Sequence, residues 1–87
     1  VRALCTGKWK IVHYVDPHGV EKDEWELYCL KADPVEQINL VHYRTGEVRE
    51  DVRVPGMTAA ELRWKNITLK RKLAKKEAAL FGKIQAG

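Results

Sequence analysis

Between Thr58 and Gln85 the chain permits one reading of its backbone. Counting about 100° per residue from Leu62, the side chains of Leu69, Leu73, Leu80 and Ile84 return to within roughly 40° of it, a narrow apolar seam with helical period. Lys65, Lys72, Lys75, Lys76 and Lys83 gather on nearly the opposite side, at roughly 220–320° on the same count. Thr58 with Glu61 three residues on makes a capping box, and Met57 is placed to staple onto Leu62. A second apolar patch, Ile67, Ala74 and Phe81, lies about 100–140° round from Leu62. A helix of about 25 residues is roughly 37 Å long, whereas strands of six to eight residues reach only about 20–27 Å. The spacing therefore predicts a helix that overhangs its own sheet and needs a partner along Leu62, Leu69, Leu73, Leu80, Phe81 and Ile84.

Charge divides at the same place. Residues 1–57 carry 8 Lys+Arg against 10 Asp+Glu, and residues 58–87 carry 8 against 2. A chain so polarised offers its basic end to phosphate, acidic lipid or an acidic protein surface. At 87 residues it makes one small domain, read as a body over 1–56 and a projecting helix over 57–87, and a chain of this size buries only about 60–65% of its unfolded surface. No apolar run approaches the roughly 20 residues needed to span a bilayer. Two cysteines are too few for the disulfide framework of a small secreted module. The first residue is Val1 and not methionine, so the sequence is read as either a fragment or a mature form whose leader has been removed, the second being preferred. The sparse cysteines suggest a reducing or organellar compartment, mitochondrial or otherwise cytoplasmic.

The front half repeats a plan. Lys8 to Val15 alternates in the manner of a strand, Asp16-Pro17-His18-Gly19 has the residue order of a turn, and Val20 to about Leu30 reads as a return strand. Ile11-Val12-His13-Tyr14 recurs as Leu40-Val41-His42-Tyr43, followed by the turn Arg44-Thr45-Gly46-Glu47 and a strand from Val48 to Val54. Residues 1–7 read as an irregular lead-in. Keeping the apolar faces together places Ile11 opposite Trp25 and His13 opposite Asp23, then Leu40 opposite Val52 and His42 opposite Glu50. The fold class expected is α+β: two repeated antiparallel β-hairpins, four strands in all, followed by one long basic amphipathic helix.

Chemistry is sparse. No nucleophile has a base beside it, no paired carboxylates suggest acid–base work, and no glycine-rich phosphate loop is present, so the expectation is a protein that is not an enzyme and uses no cofactor. Cys5, His13, Cys29 and His42 lack the close spacing of metal ligands. A Cys5–Cys29 bridge stays open. Asn66-Ile67-Thr68 matches the glycosylation pattern but falls inside the helix. Lys65, Lys72, Lys75, Lys76 and Lys83 are the candidates for anion or RNA contact, since cations spaced along a helix can follow a phosphate backbone.

Tyr14 through the Asp16-Pro17-His18-Gly19 turn to Trp25, and Tyr43-Arg44-Thr45-Gly46-Glu47 on to Pro55, resemble the second and third strands of a WW domain. The resemblance covers about a dozen residues in each copy. It implies binding of a proline-rich peptide by an aromatic pair, to which Tyr14 and Trp25 correspond. In the second copy Val52 stands near the place of the binding tryptophan. Taken together, the expected role is a structural or accessory subunit of a large assembly, of the mitoribosomal, respiratory or ATP-synthase kind, docking through its C-terminal helix onto other protein subunits. RNA binding and a WW-like peptide module are the alternatives.

Overall fold

The computed structural model describes residues 2–16, 18–20 and 22–86, with helix side chains placed as far as residue 79. Three antiparallel strands form one sheet in chain order: β1 (Arg2–Thr6), β2 (Trp9–Tyr14) and β3 (Glu24–Cys29). One helix, α1 (Ala59–Ala86), follows after a long irregular segment. The expected four strands in two hairpins are therefore corrected to three strands and one helix.

The lead-in is the first difference. Gly7 and Lys8 make a two-residue connection between the closing pair Thr6 and Trp9, and β1 pairs with β2 from there through Leu4 opposite Ile11 to Arg2 opposite His13. Side chains alternate cleanly across this ladder. Trp9, Ile11 and His13 share one face with Trp25, Leu27 and Cys29, while Lys10, Val12 and Tyr14 share the other with Glu24, Glu26 and Tyr28. β2 meets β3 two residues away from the expected register, with Ile11 opposite Leu27 and His13 opposite Trp25. A shift of two preserves which face each residue occupies, so the core face survives the change. The turn at Asp16 forms as its residues suggest: Gly19 donates to the Asp16 carbonyl at 3.0 Å, and the Asp16 carboxylate accepts from the backbone of His18 and Val20, both at 2.9 Å. Pairing nevertheless stops at Tyr14 and Glu24.

The second hairpin shrinks to one bridge, Val41 to Val48. Residues 39–43 lie antiparallel beside β3, with Trp25 donating to the Tyr43 carbonyl and Leu40 to the Leu27 carbonyl. Between those two bonds a side chain stands where backbone would pair. Asn39 Oδ1 accepts from Leu27 N at 2.9 Å and from Val41 N at 3.1 Å, and its Nδ2 donates to the Trp25 carbonyl at 3.0 Å. Arg49 then donates through Nη1 to the Asn39 carbonyl and grips Asp51 through Nε and Nη2. With donors and acceptors already met, a continuous fourth strand gains nothing. Val52 and Val54 turn into the core from irregular backbone, and Arg53 donates to the carbonyls of Glu50 and Val52.

The helix start agrees with its sequence. Thr58 N donates to the Glu61 carboxylate at 3.0 Å and Glu61 N to the Thr58 hydroxyl at 3.1 Å. Met57 packs partly buried against the core. Leu62, Leu69 and Leu73 are buried there with Trp9, Ile11, Leu27, Leu40, Val52 and Val54. Sheet, irregular segment and helix thus share a single core, and α1, roughly 42 Å long at 1.5 Å per residue, is nearly as long as the 45 Å longest extent of the molecule.

Candidate functional site

The seam residues Leu62, Leu69 and Leu73 are at most 2% exposed inside the chain's own core. That corrects their expected role as contacts for a partner helix, because the three-stranded sheet and the valines of residues 48–54 already cover them. Leu80, Phe81 and Ile84, the remaining expected contacts, lie outside the described side chains, as does Lys83.

The rest of α1 faces outward. Trp64 is 63% exposed, and on the helical count Arg71, Lys75, Lys72, Lys65 and Lys76 follow it round the same side, at roughly 180–320° from Leu62. Glu61, at about 260° on the same count, marks the N-terminal end of this surface beside Trp64, and from Leu62 to Lys76 no further acidic residue follows on it. Two of the predicted lysines are partly committed: Lys65 lies over the Trp9 ring at 5.9 Å, and Lys76 Nζ donates to the Ala3 carbonyl at 2.9 Å. Lys72 and Lys75 are exposed.

Beside this face a cleft of about 670 Å³ separates α1 from residues 47–53. Its apolar walls come from Val48, Val52, Leu62 and Ile67, and its cations are Arg49, Arg53, Arg63 and Lys70. Asn66 is 5% exposed and also lines it. Asn66 Nδ2 donates to the Gly46 carbonyl at 2.9 Å, while Oδ1 has no hydrogen-bond partner among the described residues. Burial holds the Lys70 ammonium below the ordinary lysine value of 10.5, with Glu47 pulling the other way. Sequence reasoning missed Lys70, Arg63 and Asn66 as site residues. The usable signal was their i, i+3, i+4 and i+7 relation to Ile67 and Lys70 on one flank of the helix.

The two histidine–acid pairs are present, with different standing. His13 is 9% exposed, with Nε2 2.8 Å from Asp23 and Nδ1 3.0 Å from Glu77. It stacks on Trp25 with ring centroids 3.9 Å apart and planes 7° from parallel. Each ring nitrogen thus meets a carboxylate, Nε2 that of Asp23 and Nδ1 that of Glu77. No nucleophile is among these contacts, so the cluster ties β2 to the distal part of α1. His42, by contrast, is exposed and meets Glu50 at 3.4 Å.

Tyr14 and Trp25 are not brought together. The β2–β3 register puts them on opposite sides of the sheet, Trp25 across from His13 and Tyr14 across from Glu24. Trp25 is covered on one face by His13, and Lys70 Nζ sits over the ring at 4.7 Å. Gly46, at φ 72°, closes in as well: a Cβ there would come within 2.8 Å of Trp25 Cγ and 2.7 Å of Lys70 Nζ. On the outer sheet face the Tyr14 phenol is raised above its ordinary value of 10.0 first by a hydrogen bond to Glu26 and then by burial, the Tyr28 phenol first by burial and then by its bond to Glu26, and Lys10 pairs with Glu36 at 2.7 Å. A two-ring pocket for proline needs both aromatics on one side and uncovered.

Cys5 and Cys29 are both free thiols, Cys5 exposed and Cys29 buried. Cys5 pairs with Lys10 on the outer face and Cys29 with Trp9 on the inner face, with β2 between them. A bridge would need Cα atoms within about 7 Å, which that placement denies. Among the described residues no group of three or more His, Cys, Asp or Glu is arranged to hold a metal ion. No helix is long and apolar enough to cross a membrane. Compared with protein-family models, with curated proteins and with solved structures, the chain matches none.

Proposed function

We propose that this chain is a non-enzymatic binding subunit of a larger assembly, of the mitoribosomal kind, that lays the outer face of α1 against RNA. One observation carries the reading: Trp64, 63% exposed, stands in a surface of Arg71, Lys72 and Lys75 from which acidic residues are missing between 62 and 76. Cations along a helix follow phosphates, and an exposed indole gives an unpaired base a surface to stack on. The seam leucines that would have favoured a protein partner are spent in the core, which moves the balance from protein toward RNA.

The test is a pull-down of the native chain in mild salt, with and without nuclease, followed by titration with a short single-stranded RNA. Three phosphate contacts, from Arg71, Lys72 and Lys75, give a slope near −2 in log affinity against log salt, so affinity should fall roughly twentyfold between 50 and 200 mM salt. Arg71→Glu with Lys75→Glu should abolish binding while the far-ultraviolet dichroism stays unchanged. Partners retained after nuclease treatment, with affinity indifferent to salt, would establish an accessory subunit bound to protein instead.

A further inference from the structure

From the cleft between α1 and residues 47–53 we infer a second binding site, one that takes a nucleoside phosphate. It uses residues other than the outer-face tryptophan, arginine and lysines, so it stands apart from the docking role.

Three features of the cleft each demand something of its ligand. The first is an unbalanced set of cations. Arg49 is spent on Asp51, and Glu50 is spent on His42, but among the described residues no ion pair involves Arg53, Arg63 or Lys70. Glu47 is the one uncommitted carboxylate in the lining. Lys70 is the most exacting of the three cations, being partly buried beside Trp25 with no carboxylate in ion-pair range. An anion arriving there relieves the desolvation that holds its ammonium low.

The second feature is the wall. Val48 and Ile67 give a side that rewards a flat apolar body, while Val52 and Leu62 are themselves buried in the core, and a volume near 670 Å³ is within the range of roughly 300–1,000 Å³ usual for small-molecule sites. Ile67 keeps 42% of its surface in solvent, so part of that wall is still uncovered. The third feature is Asn66. Its amide nitrogen is fixed by the Gly46 carbonyl, which fixes the orientation of the side chain, and its oxygen is then a buried acceptor without a donor. A buried acceptor left unpaired is a standing cost that a ligand's donor would remove.

An anion, a flat ring and an N–H or O–H donor are the three parts of a nucleoside phosphate. Inorganic phosphate lacks the ring, and a nucleoside lacks the anion. Neither alone meets all three demands.

The probes are adenosine 5′-monophosphate, adenosine, inorganic phosphate and a six-nucleotide RNA, titrated into the isotopically labelled full chain and followed by amide chemical shifts. The monophosphate should shift Val48, Val52, Asn66 and Ile67 together and saturate, with adenosine and phosphate each at least tenfold weaker. Arg63→Glu, a change at an exposed position, should weaken the monophosphate at least tenfold and leave the remaining spectrum in place. Asn66→Leu should weaken it too; should that variant fail to fold, Arg63→Glu decides alone. Arg71→Glu with Lys75→Glu should leave the monophosphate bound, which keeps failure of the docking role distinguishable from failure of the cleft. A hexanucleotide that binds at least tenfold tighter than the monophosphate, shifting the same four amides, makes the ligand one unit of a strand. Equal affinities make it a free nucleotide. The inference is overturned if no probe saturates, if phosphate alone matches the monophosphate, or if Arg63→Glu leaves the affinity unchanged.

Discussion

Ile11-Val12-His13 pairs along both edges, with β1 on one side and β3 on the other, and Tyr14 continues the pairing with β3, whereas Leu40-Val41-His42-Tyr43, of the same pattern, keeps one bridge and two bonds to β3. Their first two residues are nevertheless buried alike: Ile11 and Val12 are 1% and 5% exposed, Leu40 and Val41 4% and 2%. The third residues part company. His13 is enclosed by Trp25, Asp23 and Glu77, and His42 stands in solvent beside Glu50. A shared apolar pair is enough to reach the core, while a ladder depends on what the neighbouring backbone offers. The first copy has β1 brought back by a two-residue connection; the second has the Asn39 side chain where backbone would be.

If burial and not pairing sets the cost of truncation, Ile11→Ala and Leu40→Ala should destabilise by similar amounts, about 2–5 kcal/mol each. Urea unfolding followed by tryptophan fluorescence measures both. A Leu40→Ala cost well under that of Ile11→Ala would break the equivalence and make the second copy a loop laid over a core complete without it.

The next effect is smaller and belongs to the second copy alone. Asn39→Ala leaves Leu27 N, Val41 N and the Trp25 carbonyl without their partner, and unmet buried groups of this kind cost about 1–3 kcal/mol. Hydrogen exchange should quicken at Leu27 and Val41 while Ile11 and Val12, paired elsewhere, keep their protection. Unchanged exchange at Leu27 would mean that backbone replaces the side chain and that the fourth strand was withheld by Asn39 itself.

What could be read from the residues follows the same division. The capping box, the seam Leu62-Leu69-Leu73 and the two histidine–acid pairs rest on contacts a few residues away or on a strict period, and all are present. β1 was hidden because Arg2-Ala3-Leu4-Cys5-Thr6 has one large apolar residue and draws its strand character from β2. Val48 to Val54 has the alternation of a strand, yet Arg49 takes the Asn39 carbonyl and Asp51, and a turn at Glu50 and Asp51 follows. That long-range side-chain competition leaves no trace in a period of two. The cleft was illegible for a related reason: Asn66, Lys70 and Arg63 meet Val48 and Val52 only once the irregular segment has been laid against the helix.

The smallest effect separates the two histidines most finely. Glu50 is held below the ordinary carboxyl value of 4.5 first by its own backbone amide and second by the bond from His42. Removing the lesser cause by His42→Ala should raise the Glu50 value while leaving it under 4.5, as read from carboxyl carbon shifts between pH 2 and 7. The linkage follows from the sign: a carboxyl lowered in the folded state stabilises above its unfolded value and loses that contribution as pH falls through the folded one. His42→Ala should therefore lower stability slightly above about pH 4.5, where the contribution is fully present, and leave stability nearly as it was well below the folded value, where the wild type has already lost it. A Glu50 value that climbs all the way to 4.5 would show the imidazole to be the main hold on this carboxylate, and would bring His42 closer to the role His13 plays on the buried side.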